Sequence, residues 1–246
     1  MFFIMKFAVT KNIIVTAIFS TFFIAGCLVL FALAKTWNKT EIEFRIHINK
    51  QLVRESTFGE SPTFAIWLEE PETGSTQTIF VTNRAGLGDW EGKTSVPVAL
   101  PKWFEVNKSE QQSRNMLKNK ISERLTITGA TPKPGYFSTR VRVTPGSMWN
   151  CWIEVNLAGD FNEKFKEYDE EAKTSDEYKT GQPALLYKAI IKAEEDNRVV
   201  PDIAGMCILD PEKGVTIQPL TGITNATRIF DEIIIAVARP KPRIVE

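Results

Sequence analysis

Glu154, Asn156, Asp160 and Asn162 put four oxygen-bearing side chains into one short stretch of the chain. On a strand, Glu154 and Asn156 share a face, and Asp160 and Asn162 follow across the turn at Gly159. Such a set could ligate a hard cation such as Ca²⁺, which takes about six to eight oxygens. The same residues could equally serve turn and helix-cap hydrogen bonds. Cys151 and Cys207 are a second pair. In an oxidising compartment they could form a disulfide, while a buried free thiol at Cys151 is as natural beside Trp149 and Trp152. Trp67, Trp103, Trp149 and Trp152 could line a groove for an organic ligand or fill a β core. His47 is the only histidine, and no Gly-x-Ser-x-Gly elbow occurs, so the chain holds no complete hydrolase constellation.

The elements that must position these residues read as mostly β. From Glu41 to Ile48 apolar residues alternate with Glu41, Glu43, Arg45 and His47, which predicts a half-buried antiparallel strand with His47 outward. Residues 63–69 and 76–82 read as a hairpin about the Pro71–Gly74 turn. The spacing predicts further strands at 125–128, 136–143 and 151–157, with a second hairpin about Pro145-Gly146. Residues 184–194 and 228–238, rich in Ile and Val, read as central strands. Residues 83–92 and 97–103 read as loops, and 109–122 as a short helix. Asp160 with Glu163 forms a capping box for an acidic helix carrying Phe165, Tyr168 and Ala172. The expected fold is mainly β: an antiparallel sandwich of the immunoglobulin or fibronectin type with two short helical insertions.

The N-terminus is a different material. Ile13 to Ala34 is 22 residues without a charge, a helix about 33 Å long and sufficient to cross a hydrocarbon core. Lys6 and Lys11 precede it, which orients the N-terminus to the cytoplasm and the remainder outward. Residues 1–35 are therefore expected to be a membrane anchor or signal segment, and residues 36–246 an extracytoplasmic domain. Two alternatives stand beside an uncleaved single-pass anchor: cleavage after Ala32-Leu33-Ala34, and a lipoprotein acylated at Cys27 within Ile24-Ala25-Gly26-Cys27. Thirty basic and thirty acidic residues cancel over the whole chain, so a general nucleic-acid partner is not expected.

Three stretches taken together resemble a known family. They are Phe64–Glu69 with Thr78–Val81 and Leu100–Trp103; Thr128–Gly135; and Glu154–Asn156 with Asp160–Asn162 and Gly181–Tyr187. Over about residues 41–195 the chain resembles the bacterial periplasmic family called domain of unknown function 2271. That resemblance implies an exported β domain without an assigned activity. It also implies a setting beside flavin transferases and membrane reductases of the cell envelope. In that setting Thr128-Gly129-Ala130-Thr131 is similar to the flavin-transferase acceptor motif Asp-x-x-Ser/Thr-Gly-Ala-Thr, whose last threonine carries covalent FMN. Leu125 stands where the motif has its acid, and Pro132 follows the threonine. A Pro/Gly turn between two strands is the other reading of 129–135. Two functions follow as expectations: a non-catalytic membrane-anchored binding or assembly module, or an electron carrier with FMN on Thr131.

Overall fold

The computed structural model describes residues 20–31, 34, 38–87, 99–117, 128–167, 171, 181–210 and 212–240. The chain is mainly β, with two sheets and a few short helices. In chain order the elements are β1 (Thr40–Ile48), α1 (Lys50–Glu55), β2 (Thr63–Glu69), β3 (Thr76–Thr82), α2 (Asn83–Leu87) and α3 (Pro101–Leu117). There follow β4 (Thr128–Gly129), β5 (Gly135–Val143), β6 (Met148–Asn156), β7 (Ala184–Lys192), β8 (Arg198–Val199), β9 (Asp202–Asp210), β10 (Gly214–Gln218) and β11 (Phe230–Ala238). The small sheet has the order β5-β1-β11-β8, and the large one β10-β9-β7-β6-β2-β3-β4. Every pairing is antiparallel except β3 with β4.

Alternation decides which side chains go inward. Ile42, Phe44, Ile46 and Ile48 of β1 meet Phe64, Ile66 and Leu68 of β2 and Cys151, Ile153 and Val155 of β6 in one buried cluster. Phe64 is its hinge point, with ring centroids of Phe80, Phe137 and Phe230 at 5.1, 5.3 and 5.5 Å. The opposite face of the large sheet carries a second cluster, in which Trp103 and Leu100 lie on Ala65, Trp67, Leu186 and Cys207. The first half of β1's outward face is also closed, while Arg45 on the same face is exposed. Glu41 and Glu43 are buried because Arg142 and Arg140 of β5 lie directly across from them and cover them with ion pairs. Burial opposes ionisation of Glu43, but hydrogen bonds from Arg45 and Arg140 outweigh it and hold the carboxyl below its usual range.

Four expectations are corrected. Residues 136–143 and 149–155 do form strands, but they do not pair with each other. β5 joins β1, while β6 lies between β2 and β7, so the Pro145-Gly146 turn carries the chain from one sheet to the other. The reason is burial: β6 is apolar or buried on both faces along its second half and belongs in a sheet centre, whereas β5 alternates half-exposed and exposed residues. Helix α3 begins at Pro101, inside the stretch read as a loop, since proline is well suited to a first helical position. Residues 83–87, also read as loop, form the short α2. The described residues 160–167 are not helical; Asn162 Oδ1 accepts from the Lys164 and Phe165 amides, and Asp160 is drawn away to Gln182. Tyr168 and Ala172 lie outside the described residues, as do 88–98 and 118–127. Strands β8, β9 and β10 had no counterpart in the sequence reading, although the turn between Asp210 and Gly214 was a usable hairpin signal.

At the N-terminus residues 20–31 are helical, and Phe22, Phe23, Ile24, Leu28, Val29, Leu30 and Phe31 are all exposed. Cys27 is exposed on the same helix. Among the described residues no helix is long and apolar enough to cross a membrane; residues 13–19 and 32–33 of the expected span lie outside them.

Candidate functional site

Glu154 sits in the middle of the large sheet, on the face away from the small one. Its carboxylate is fully buried and points at the start of α3. The backbone N–H groups of Lys102 and Trp103 donate to its two oxygens at 3.0 and 2.6 Å. Helix termini leave such N–H groups unpaired, and a carboxylate there satisfies them with help from the helix dipole. The Cys207 thiol hydrogen-bonds the same carboxylate from β9. Burial raises the Glu154 pKa to about 7, and the hydrogen bonds from Trp103, Lys102 and Cys207 offset only part of that rise. Burial, with the Glu154 charge beside it, drives the Cys207 thiol well above its usual range, so it stays protonated and unreactive. Glu154 therefore acts as a cross-element helix cap.

At one end of the same sheet lies a polar network. Asp160 accepts from Gln182 Nε2 at 2.8 Å and from Asn225 Nδ2 at 3.0 Å. Gln182 Oε1 accepts in turn from the Thr224 amide at 2.8 Å, and Asn156 Nδ2 donates to the Gln182 carbonyl at 2.9 Å. Close backbone approach makes this possible: a Cβ on Gly181 would lie 2.6 Å from the Asp160 carbonyl oxygen. Burial raises the Asp160 pKa, and the hydrogen bonds from Asn225 and Gln182 work against it. This network ties the loop before β11 to the loop before β7.

These contacts change the meaning of the predicted calcium set. Glu154 spends its oxygens on α3, Asp160 on Gln182 and Asn225, and Asn162 on the Lys164 and Phe165 amides. Only Asn156 Oδ1 is left without a partner. The four side chains do not offer a cation a shared set of free oxygens, and among the described residues no group of three or more His, Cys, Asp or Glu side chains is arranged to hold a metal ion. The two cysteines are also apart. Cys151 belongs to the inner cluster and Cys207 to the outer one, on opposite faces of the large sheet with β7 between their strands, and both are free thiols. Burial raises the Cys151 pKa to about 12.

The four tryptophans divide in the same way. Trp67 and Trp103 are buried in the outer cluster. Trp152 stacks on Trp67 with centroids 6.2 Å apart, and the Lys188 ammonium lies 4.6 Å over its ring. Trp149 packs against the inner cluster, so the four do not line one groove. His47 has a partner that sequence did not show: Asp231 Oδ2, 2.9 Å from its Nδ1, with Tyr136 packed on its ring at 4.5 Å. Thr128 and Gly129 form β4, which runs parallel to Val81 and Thr82 of β3. Thr131 is exposed on the connection from β4 to β5, consistent with a Pro/Gly link between strands.

A further recess opens at the edge of the small sheet. It has a volume of about 280 Å³ and is walled by Tyr187, Val200, Pro201 and β11 from Phe230 to Ile234. The Tyr187 hydroxyl is buried there without a hydrogen-bond partner, and burial raises its pKa to about 12. The architecture thus defines a mainly β protein with two sheets, whose buried acids are hydrogen-bonded or ion-paired within the fold and which has an open recess at a strand edge. No family model, curated protein or solved structure matches the chain.

Proposed function

We propose that the chain is a non-catalytic, membrane-anchored binding or assembly module whose β-sandwich faces the periplasm or cell exterior. The sandwich would be of the immunoglobulin or fibronectin type. The proposal includes kinship with the domain-of-unknown-function 2271 family and work beside redox proteins of the envelope. The observation that carries it is the helix at 20–31, which presents seven large apolar side chains to the surroundings ahead of the β domain. Exposed apolar area of that kind is stable only against lipid or protein. In a bacterial host the full chain is expected to sediment with membranes, resist alkaline carbonate and yield only to detergent. Protease added to spheroplasts should then digest the domain. Carbonate release of the full-length chain, or protection of the domain in spheroplasts, would overturn the anchor. The secreted and Cys27-lipidated alternatives are separated by the mass of the mature N-terminus.

The exposed position of Thr131 favours one second reading, an electron carrier with covalent FMN. A transferase needs that hydroxyl accessible, and the loop supplies it. Co-expression with a flavin transferase should then add one FMN to the peptide containing Thr131 and none to the Thr131→Val chain. An unmodified peptide in the mass spectrum removes the carrier reading.

A further inference from the structure

Strand β11 has β1 along the whole of one side and only the two residues of β8 on the other. In that short pairing Val199 faces Ile235 and Arg198 faces Ala236, and the Val237 amide donates to the Asn197 carbonyl at 2.9 Å. Backbone groups in a strand alternate sides. The N–H and C=O of Val237, Ile235 and Ile233 therefore point away from β1, toward the β8 side. Continued by two more residue pairs, the register would set Val200 opposite Ile234 and Pro201 opposite Ile233. Proline has no N–H to give, so the ladder stops there and the chain turns away into β9 in the other sheet. The gap left between β11 and Val200-Pro201 is the recess of about 280 Å³.

We propose that this gap is a strand-addition site, which takes an extended peptide of a partner protein antiparallel to β11 in the place β8 vacates. The peptide backbone would pair with Ile233, and one apolar side chain would enter between Phe230, Ile233 and Val200, which is 70% exposed. Main-chain pairing with a pocket for alternate side chains is an established recognition mode. The charge on the rim sets the peptide's direction and composition. Arg198 stands at the end where the peptide begins and Glu232 at the end where it leaves, while Asp231 beside it is engaged by His47 and Asn49. The matching segment is acidic, then apolar and β-branched, then basic. This inference stands on the β11 edge and holds whether or not residues 13–34 enter a membrane.

The test uses the full chain in detergent micelles and a fluorescent, end-capped hexapeptide of sequence Glu-Thr-Val-Val-Thr-Lys. Binding should be saturable. It should weaken about tenfold, the equivalent of one neutral hydrogen bond, when the central peptide amide is N-methylated. It should weaken at least as much with Val200→Lys, which obstructs the pocket from an exposed position, and the charge-reversed peptide should lose to the original. Amide exchange at Ile233 should slow on binding. No saturable binding, or binding indifferent to N-methylation and to Val200→Lys, would overturn the site. So would equal binding of an uncharged apolar small molecule that competes for the recess, since that outcome assigns the recess to small ligands. Loss of binding by Val200→Lys counts only with its thermal unfolding midpoint unchanged; if that variant fails to fold, the N-methylated peptide decides alone.

Discussion

Replacing Glu154 with leucine is expected to lower the unfolding free energy by about 3 kcal/mol, because the change leaves two helix N–H groups buried and unpaired. Both donors, Lys102 and Trp103, lie in the first turn of α3. That turn carries Trp103 into the outer cluster. The loss should be read by urea unfolding, and the far-UV signal of the helix should fall before that of the sheets. Glu154→Gln separates charge from shape. The native pKa is about 7 against 4.5 for an unperturbed group. Between those values the native state therefore binds a proton that the unfolded chain has released. Stability from this group is complete below about pH 4.5, declines as pH rises, and is lost once pH passes about 7. The shift corresponds to about 3 kcal/mol over that window. Wild-type chain should thus unfold more readily at pH 8 than at pH 5, and Glu154→Gln should flatten that slope. An unchanged slope in the variant would show that Glu154 does not titrate there. Cys207, Lys102 and Glu105 are the neighbouring charged or titratable groups. Cys207→Ser in parallel tests whether the thiol contributes.

The second large effect is Phe64→Ala, for which a loss of about 4 kcal/mol is expected. Phe64 is fully buried in β2. Its ring packs edge-on against Phe137 of β5 and Phe230 of β11, and tilted on Phe80 of its own sheet. Deleting it therefore opens a cavity at the contact between the two sheets, with neighbours on rigid strands that cannot collapse into it. Phe64→Leu should recover most of the loss, since it restores much of the volume. The comparison is made by chemical unfolding at fixed pH, and equal stability of the alanine and leucine variants would show that the site relaxes freely. These two variants probe different layers: Glu154 the docking of α3 on the outer face, Phe64 the union of the sheets. They lie on opposite faces of the large sheet but on paired strands, with Ala65 directly opposite Glu154, so the double variant measures how strongly the two layers are coupled.

Much of this was legible in local pattern. The alternation of Ile42, Phe44, Ile46 and Ile48 placed β1 and chose its inner face, and the Pro71–Gly74 turn joined β2 to β3 as read. Residues 184–192 form an internal strand, as their Ile and Val content implied, whereas 230–238 form a strand flanked by β1 along one side and by only the two residues of β8 on the other. The candidate site was less legible. Glu154, Asn156, Asp160 and Asn162 were recognised as a polar group, yet apart from the local amides of Lys164 and Phe165 on Asn162 their partners are Lys102, Trp103, Gln182, Thr224 and Asn225, far away in the chain. No local spacing encodes those contacts. The recess beside β11 depends on Pro201 meeting a strand more than thirty residues later, which the sequence shows only once the register is known.

By itself the sequence determined the positions of β1, β2, β3, β5, β6, β7 and β11, the inward face of β1, the one long uncharged segment at 13–34 and the poverty of histidine. Side-chain period and hydropathy are local properties, and each needs only neighbouring residues to be expressed. Tertiary structure alone decided that β5 and β6 part into different sheets and that Cys151 and Cys207 stand on opposite faces. It also decided that Glu154 caps a helix and that β11 keeps an open edge. Those outcomes depend on which strand finds an unpaired neighbour and which carboxylate is closed off from water, and both are settled by contacts between segments distant in the chain.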